Sequence, residues 1–390
     1  MNTLLGQIEF SGIVTVRDRL LQLPNPLRLE SGDPSFDTPA HIKDAMARAL
    51  RDNKTHYAPS TGIPALKKAI IAKIAKRNGV NYIDNPESAL VVAGGMHGLY
   101  CIMKALLNPG DEVIMPRPNW TSTAWIARLS GGVPVFCDLL PELNYRWRLE
   151  QVEGAITPRT KAILINSPHN PTGGLLTRQD LSGLLDLAER HKLWIIADEA
   201  YEDIVYEQEQ ISIAGLAAER PQHVRDRIIS CFTFSKSYAM TGWRLGYVVC
   251  ADRKLCENIK TVILYTVNGI STPTQHAGVA ALEGPQDAIF AMRDEYRKRR
   301  DLLFNGVNQS PFLVCDTPPS GAIYLYAKIS DEWQGSAWDL VNYLIDEYAL
   351  GSVPGDEFYD HQKSIRFSFA CATEMIEAAN NRLAGITSAV

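Results

Sequence analysis

The chain has 390 residues, of which 46% are hydrophobic and 21% charged, a composition typical of a soluble globular protein. This length predicts two domains, or one large α/β unit with an appendage. A net charge of −5 argues against the basic surface that a nucleic acid or an anionic membrane would require, so we expect neither as a partner.

The cysteines and the first residues indicate the compartment. The seven cysteines are odd in number and form no C-x-x-C pair, and Cys231 and Cys250 lie in apolar runs, so we expect reduced core thiols and no metal site. The chain's start lacks the basic and apolar regions of a signal peptide, and no apolar run reaches the roughly 20 residues of a membrane helix. These features predict a cytoplasmic protein without a membrane segment.

The first 80 residues read as short elements joined by turns. An amphipathic piece at 14–23 is ended by Pro24 and Pro26, and residues 31–39 are rich in turn formers. Helices are predicted at 41–51, after Thr38-Pro39, and at 65–78, after Pro64, with a loop at 55–62 between them.

From Ser88 onward, apolar and β-branched runs alternate with helical stretches. The seven runs are residues 89–93, 112–115, 133–137, 162–165, 194–197, 228–232 and 247–250. Runs that are apolar on both faces and separated by helices predict a mainly parallel sheet covered on both sides. The residues Thr177 and Asp180 resemble a capping box that opens one of the helices. The fold class is therefore α/β, and ligands are expected beyond the carboxyl ends of the strands.

After about residue 282 the pattern changes. It predicts a long charged helix at 287–305, strands at 312–315 and 322–328, a helix at 338–347, a strand at 364–369 and a last helix from Thr373. We expect a large domain at 40–285 and a smaller α+β domain formed by 1–39 and 286–390, which closes over the substrate.

The segment 233–246 carries the clearest chemistry. Lys236 follows one predicted strand and precedes another, where its amine can attack a carbonyl group and hold an aldehyde cofactor covalently. Arg244 offers a fork suited to a phosphate, and Thr233 and Ser235 add hydroxyl donors. A polar loop with two solvated cations would explain the same segment, so both interpretations stay open here.

Two turns earlier in the chain offer weaker signals. Gly94 and Gly95 stand between a strand and a helix, where amides of the first helical turn can bind an anion, although such a turn is often only a turn. Trp120 lies beyond another strand end, where its indole can stack on a planar ring or simply pack in the core.

Three polar residues follow the next strands. Asn170 lies between prolines as a held amide donor. Asp198 ends a buried strand, where a carboxylate needs a cation such as a protonated pyridine nitrogen, or else serves as a helix N-cap. Tyr201 can donate its hydroxyl to a phenolic oxygen on the same ring.

These motifs resemble those of a known family. Ser167-Pro-His-Asn-Pro-Thr-Gly173, Asp198-Glu-Ala-Tyr201 and the run 235–247 are similar to the pyridoxal-phosphate-dependent fold type I aminotransferases, in particular their prokaryotic aspartate aminotransferase-like branch. The likeness extends to 32–39, 319–324, 353–355 and 364–370, and so covers nearly the whole chain. It implies a large domain with a mainly parallel seven-stranded sheet, a smaller α+β domain and a homodimer with shared active sites.

The resemblance also implies roles for individual residues. Lys236 would hold pyridoxal 5′-phosphate and move the substrate's α-proton, and Asp198 would keep the pyridine nitrogen protonated. Arg366 would bind the substrate α-carboxylate. The remaining residues it implies are Tyr201 and Asn170 at the ring oxygen, Trp120 on the ring face, Arg244, Thr233, Gly95 and Met96 at the phosphate, Tyr57 at the phosphate of a neighbouring subunit, and Gly32 beside the substrate.

Substrate choice is weakly encoded. Eukaryotic-type aspartate enzymes of the family supply an arginine from the segment that corresponds to 265–273, and none is present here. Lys104, on the helix after the glycine turn, would bind a distal carboxylate or would be an ordinary solvated lysine. Ile13 favours an apolar side chain. Aspartate, glutamate and aromatic amino acids therefore remain open as donors.

Three functions are compatible with these residues. The first is an aminotransferase that passes an amino group from an L-amino acid to a 2-oxo acid in two half-reactions. The second is a lyase that uses the same cofactor, for example for β-elimination at a sulfur-bearing side chain. The third, a regulatory protein with an aminotransferase-like domain, is disfavoured by the complete set Lys236, Asp198 and Arg366 and by the lack of a DNA-binding segment.

Overall fold

The computed structural model of the chain describes residues 4–8 and 11–386. The α-helices of these residues are α1 (Gly12–Leu20), α2 (Ala40–Arg51), α3 (Pro64–Asn78), α4 (Gly94–Leu106), α5 (Thr121–Leu129), α6 (Leu149–Gly154), α7 (Arg178–His191), α8 (Ile213–Leu216), α9 (Gln222–Arg225), α10 (Phe234–Ser237), α11 (Arg253–Thr266), α12 (Thr272–Glu283), α13 (Asp287–Val307), α14 (Ala337–Tyr348) and α15 (Thr373–Ala384). The strands are β1 (Leu27–Arg28), β2 (Ala89–Val92), β3 (Glu112–Arg117), β4 (Val133–Asp138), β5 (Thr160–Asn166), β6 (Trp194–Asp198), β7 (Ile228–Thr233), β8 (Gly246–Cys250), β9 (Leu313–Val314), β10 (Tyr324–Ile329), β11 (Leu350–Gly351), β12 (Val353–Pro354) and β13 (Ser364–Ser368).

The central sheet has seven strands in the order β2-β8-β7-β6-β5-β3-β4. All neighbouring pairs are parallel except those that β8 makes with β2 and β7. Both faces of the sheet are covered by apolar clusters, which explains why strands such as β2 and β7 are buried along their whole length. The predicted α/β class and the seven-stranded, mainly parallel sheet are confirmed.

The antiparallel direction of β8 has a consequence for the site. Thr233, at the end of β7, pairs with Gly246, at the start of β8. The connection between them, residues 234–245, therefore leaves and re-enters the sheet at the same edge. Lys236 and Arg244 both lie in this connection, so the reversal brings them to the carboxyl end of the parallel strands.

The helices that cover the sheet begin and end where the sequence predicts. α3 starts with Pro64 in its first turn and ends at Gly79, whose φ of 71° is the left-handed conformation that glycine favours. α7 opens with the predicted capping box between Thr177 and Asp180, with both reciprocal hydrogen bonds formed. Within the described residues, none of these helices has the length and apolar character needed to cross a membrane.

A second sheet has the strand order β12-β13-β10-β9 and packs with α13, α14 and α15 around a separate apolar cluster. β10 begins at Tyr324, two residues later than the sequence predicts, because Ala322 has a φ of 57° that an extended strand cannot contain. The predicted strand at 312–315 is reduced to Leu313–Val314.

The N-terminal helix and strand pack with the elements that surround this second sheet. β1 pairs with β11 in parallel, and α1 spans Gly12–Leu20, two residues earlier at its start than predicted. Arg19, on α1, donates to the side chains of Asn342 and Asp346 on α14. These contacts support the predicted association of the N-terminal and C-terminal segments, and the domain limits at 39/40 and 285/286 stay a prediction.

Candidate active site

A cavity of about 410 Å³ lies beyond the carboxyl ends of the central strands, next to the second sheet. Thirteen residues with a site role predicted from the sequence line it: Ile13, Gly32, Gly95, Met96, Trp120, Asn170, Asp198, Tyr201, Thr233, Ser235, Lys236, Arg244 and Arg366. The structure thus brings together side chains that are up to 353 positions apart in the chain, from Ile13 to Arg366.

Lys236 lies on the single turn α10, directly after β7, and its side chain reaches across the cavity. Its Nζ donates a hydrogen bond of 2.7 Å to the carbonyl oxygen of Gly32. Gly32 cannot carry a side chain, because a Cβ there would lie 2.1 Å from the hydroxyl oxygen of Tyr324. The amine is therefore held between the central sheet and the N-terminal segment.

Asp198 ends β6 with its carboxyl group in the cavity wall. The residue is only 6% exposed, and its Oδ1 accepts a hydrogen bond of 3.3 Å from the Ala200 amide. Burial raises the pKa of this carboxyl to about 7. Within the described part of the chain it forms no ion pair, so a cation supplied by a bound molecule would stabilise its charged form.

The next carboxyl group, Glu199, points to the other side of β6 because side chains alternate along a strand. Its Oε1 accepts hydrogen bonds from the hydroxyls of Ser212 and Ser230, at 2.9 and 2.8 Å. Burial raises its pKa to about 7 as well. Glu199 does not line the cavity, so of this acidic pair only Asp198 can contact a ligand there.

Asn170 and Tyr201 are fixed by hydrogen bonds on either side of Asp198. The backbone amide of Asn170 donates to Asn166 Oδ1 at 2.8 Å, which holds the loop after β5. The hydroxyl groups of Tyr201 and Tyr324 are 3.0 Å apart. Burial and the neighbouring phenol raise the pKa of Tyr201, so this hydroxyl keeps its proton and can donate it in a hydrogen bond.

Arg366, on β13, is the buried cation at the far side of the cavity. Its Nη1 donates to Asn170 Oδ1 at 3.0 Å and its Nη2 donates to the carbonyl oxygen of Glu30 at 2.8 Å. The guanidinium group lies 4.3 Å above the ring of Tyr324, and its buried Nε has no partner in the described structure. A planar, oriented guanidinium of this kind suits bidentate binding of a carboxylate.

The opposite end of the cavity is a cup of hydrogen-bond donors. α4 begins at Gly94, and the amides of its first turn, which include Gly95 and Met96, have no intrahelical acceptor. The Arg244 guanidinium lies beside Gly94, close enough that a Cβ there would come within 2.7 Å of Arg244 Nη2. The Thr233 hydroxyl completes the cup and donates to Ser235 Oγ at 2.9 Å. This arrangement suits a phosphate group.

These groups fit a phosphorylated pyridine aldehyde. The donor cup suits the phosphate, Asp198 suits a protonated ring nitrogen, and Lys236 suits the aldehyde carbon. Trp120, which also lines the cavity, presents an aromatic side chain to the same space. The unpaired, buried carboxyl of Asp198 is the strongest sign, because it has no other charge partner among the residues that the structure describes.

Two predicted site residues lie outside the cavity of this chain. Lys104 is exposed on α4, about two turns beyond Met96, and does not line the cavity. The structure therefore gives no support to its predicted contact with a distal carboxylate, and Met96 occupies the cavity side of this helix. Tyr57 is 92% exposed, as a residue that contacts a neighbouring subunit would be in a single chain.

Some lining residues were not singled out from the sequence, namely Val14, Arg17, Arg28, Glu30 and Tyr324. Arg17 shares a face of α1 with Ile13 and Val14 because it follows them by four and three residues, about one helical turn. Arg28 and Glu30 alternate along an extended segment, so both side chains lie on one side. The sequence shows these spacings, but it does not show that these sides of α1 and of the extended segment face the cavity.

Comparisons with known proteins agree with this geometry. The profile of the family described as "Aminotransferase class I and II" matches residues 24–383. The chain is 35% identical over 360 residues to an aspartate aminotransferase of Geobacillus stearothermophilus, covering 91% of this chain and 89% of that protein. It is 37% identical over 383 residues to a probable aspartate/prephenate aminotransferase of Thermus aquaticus, covering 96% of each. A solved structure of the aspartate aminotransferase of Thermus thermophilus with maleate superposes with a TM-score of 0.91, at 34% identity, covering 98% of each chain.

Proposed function

This chain belongs to the class I and II aminotransferases and is a transaminase, and from that premise we propose how its cavity works. Lys236 would hold pyridoxal 5′-phosphate at its aldehyde, and the donor cup of α4 would hold its phosphate. An L-amino acid gives up its amino group there and leaves as a 2-oxo acid, and a second 2-oxo acid then receives the group. The observation that carries this proposal is that Lys236, Asp198 and Arg366 face one cavity.

The cofactor, when bound, supplies an aldehyde and an electron-accepting ring that weakens the substrate Cα–H bond. The chain's own residues do the rest. Asp198 would keep the ring nitrogen protonated, and Tyr201 would donate its hydroxyl to the ring oxygen. Lys236 Nζ would act as the general base that takes the proton from the substrate Cα.

The α-carboxylate of the substrate binds to Arg366. Asn170 already holds one nitrogen of this guanidinium, and the Glu30 carbonyl holds another, so its plane is set before the substrate arrives. Binding the carboxylate at this fixed point orients the Cα–H bond toward Lys236. The matched family and the aminotransferase relatives of this chain favour transamination over β-elimination.

A second copy of the chain completes the site in this proposal. Tyr57 lies in the loop before α3 and Tyr265 in the last turn of α11, and they are 92% and 82% exposed. The loop of Tyr57 contacts the start of α12, because Thr272 Oγ1 donates to the carbonyl oxygen of His56 at 2.7 Å. Exposed aromatic side chains are typical of a subunit interface. We expect a homodimer in which Tyr57 reaches the phosphate of the other subunit, and light scattering in solution tests it.

The seven free cysteines, five of them buried, support a reducing compartment, and we propose a cytoplasmic location. The substrates remain to be chosen among acidic and aromatic L-amino acids. The relatives are named for aspartate, or for aspartate and prephenate.

The test is a screen of L-amino acids against 2-oxoglutarate with the purified, cofactor-loaded protein. The expected result is loss of the cofactor's visible absorbance with a matching 2-oxo acid for at least one donor, and its return when 2-oxoglutarate is added. Release of pyruvate and ammonia without glutamate would support the lyase alternative. Protein that stays colourless with added cofactor would refute the proposal.

A further inference from the structure

One wall of the cavity contributes no side chain to the proposed chemistry. It is formed by the N-terminal segment, which contributes Ile13, Val14 and Arg17 from α1 and Arg28 and Glu30 from β1 and the residues after it. The wall combines two arginines with an apolar surface.

Arg28 and Glu30 form a close ion pair in which only one carboxylate oxygen accepts hydrogen bonds. Arg28 Nε and Nη2 donate to the same oxygen, Glu30 Oε1, at 2.9 and 2.8 Å. The Glu30 side chain is 1% exposed, whereas that of Arg28 is 32% exposed. The carboxylate thus lies behind the guanidinium group, and the guanidinium group is the part that meets the open space.

Glu30 does not offer its second oxygen to a ligand. Glu30 Oε2 is buried, and it lies close enough to Gly351 that a Cβ there would be within 2.7 Å of it. It therefore faces β11 and not the cavity. Arg28, by contrast, keeps Nη1 without an acceptor among the described residues, so this guanidinium can still donate to a ligand.

The ion pair is also tied to the arginine that binds the α-carboxylate. Arg366 Nη2 donates to the backbone carbonyl of Glu30, the same residue whose side chain holds Arg28. Two oriented guanidinium groups thus contact one cavity from neighbouring positions. Ile13 and Val14 provide apolar surface on the same wall.

We propose that Arg28 binds a carboxylate at the end of the substrate side chain and that Glu30 positions Arg28 for it. The amino donors are then L-amino acids with an acidic side chain. Arg366 binds their α-carboxylate, and Arg28 binds their side-chain carboxylate. This assignment rests on the proposed function. Arg28 takes the role that was predicted for Lys104, which lies outside the cavity. Arg17 also lines the cavity, but we assign it no such role, because its side chain is 45% exposed and paired with its neighbour Asp18.

The experiment compares Arg28→Gln with the wild type in the cofactor-loaded protein. We expect kcat/KM for aspartate and glutamate to fall by about tenfold to a hundredfold, because a charge-assisted hydrogen bond is lost. We expect kcat/KM for alanine and phenylalanine to change by less than about twofold, since those donors do not reach Arg28. Inhibition by maleate, a dicarboxylate, should weaken by a similar factor, while inhibition by propionate, a monocarboxylate, should not.

Two further variants complete the test. Arg148→Gln removes an exposed arginine that lies 3.8 Å from Glu142 and outside the cavity, and it should change none of these constants. Glu30→Gln keeps an oxygen acceptor for Arg28 but removes the charge that holds it, so it should raise KM for acidic donors about three- to tenfold while kcat is preserved. A purely structural role of Glu30 would instead affect acidic and neutral donors alike.

The outcomes separate this inference from the proposed function. Equal losses for acidic and neutral donors in Arg28→Gln, or a wild type that accepts only neutral or basic donors, would overturn the assignment of Arg28 and leave transamination standing. A wild type that exchanges no amino group with any donor would overturn both.

Discussion

The two halves of the cavity are built in different ways. The cofactor half consists of residues at the ends of buried parallel strands, with Asp198 on β6, Asn170 after β5 and Lys236 after β7. The N-terminal half consists of Ile13 on α1 and Arg28 on β1, a strand of only two residues. The first half is fixed by the seven-stranded sheet, whereas the second is held by the short pairing of β1 with β11 and by packing in the second apolar cluster.

This difference separates the chemistry from the choice of substrate. In the cofactor half, the register of the sheet sets positions directly, since Asn166 pairs with Asp198 and Thr233 pairs with Gly246. In the N-terminal half, α1 is attached through Gly12 to Glu357 and through Arg19 to α14. The shared frame of the sheet suits a reaction that all substrates have in common, and a wall outside this sheet suits a feature that varies among them.

The largest effect is expected at the centre of the cofactor half. Lys236→Ala removes the amine that takes the substrate α-proton, and turnover should fall by about 10⁴-fold or more. The measurement is the rate of 2-oxo acid formation with the best donor. The variant should still bind the cofactor loosely through the donor cup, which absorbance after desalting will show.

Lys254→Ala is a suitable control, because that lysine is exposed on α11 and lies outside the cavity. Normal turnover in the Lys236 variant would mean that another group moves the proton. Lys236 would then not be the catalytic base, and the cofactor half could not be called the catalytic half on its account.

The second effect concerns the buried carboxyl groups of β6. Burial raises the pKa of Asp198 from 3.8 to about 7, so in the cofactor-free protein this group favours folding below pH ~4 and loses that contribution as the pH rises through about 7. Because one pKa unit corresponds to ~1.4 kcal/mol, the loss is up to ~4 kcal/mol. Asp198→Asn should remove it, so the variant's free energy of unfolding should decline less than that of the wild type between pH 4 and 7.

Urea unfolding at a series of pH values measures this difference. Glu199→Gln is the matched control, because burial raises the pKa of Glu199 to about 7 too, yet the residue faces away from the cavity. Both variants should flatten the pH profile, but only Asp198→Asn should weaken cofactor binding. Parallel pH profiles for wild type and Asp198→Asn would show that this carboxyl is not destabilised by burial.

The sequence predicted the cofactor half well, for a physical reason. Parallel strands bring their carboxyl ends to one edge, so Asp198 and Lys236 had to meet once both were placed after strands. The antiparallel direction of β8, which places Arg244 beside Gly94, is a matter of sheet order that apolar runs do not encode. The sequence of the residues between β7 and β8 predicted their chemistry, but it did not predict that the chain returns to the same edge of the sheet.

The N-terminal half was predicted poorly for the converse reason. Its position depends on contacts with residues more than 300 positions away, such as Glu357 and Asn342. No local pattern reveals which side of β1 meets the cavity, so Arg28 was not predicted, although Ile13 on α1 was. Lys104 was placed by analogy on a helix that does contact the cavity, but the residues of α4 that line it are Gly95, Met96 and Leu99.

A smaller effect is expected at the attachment of the N-terminal wall. Glu357 Oε2 accepts a hydrogen bond of 2.7 Å from the amide of Gly12, the first residue of α1. Glu357→Gln keeps an acceptor but removes the attraction between the carboxylate and the helix N-terminus, worth about 0.3–1 kcal/mol. We expect KM for the amino donor to rise about two- to fivefold while kcat is unchanged.

Steady-state kinetics with the best donor provide the measurement, and Glu142→Gln, an exposed glutamate outside the cavity, is the control. A fall in kcat with an unchanged KM would contradict the idea that this wall acts on substrate binding alone. The two halves would then be coupled more tightly than their contacts indicate.

The smallest effect is expected at Lys104, and it decides between two explanations of selectivity. If the N-terminal wall binds the substrate side chain, Lys104→Ala should change kcat/KM for aspartate and for phenylalanine by less than about twofold. The reason is that Lys104 is exposed and lies outside the cavity, so it contributes little to substrate binding. A larger loss for aspartate than for phenylalanine would show that Lys104 reaches a substrate carboxylate in the assembled enzyme. Selectivity would then come from α4 as well, and the N-terminal wall would not be its main source.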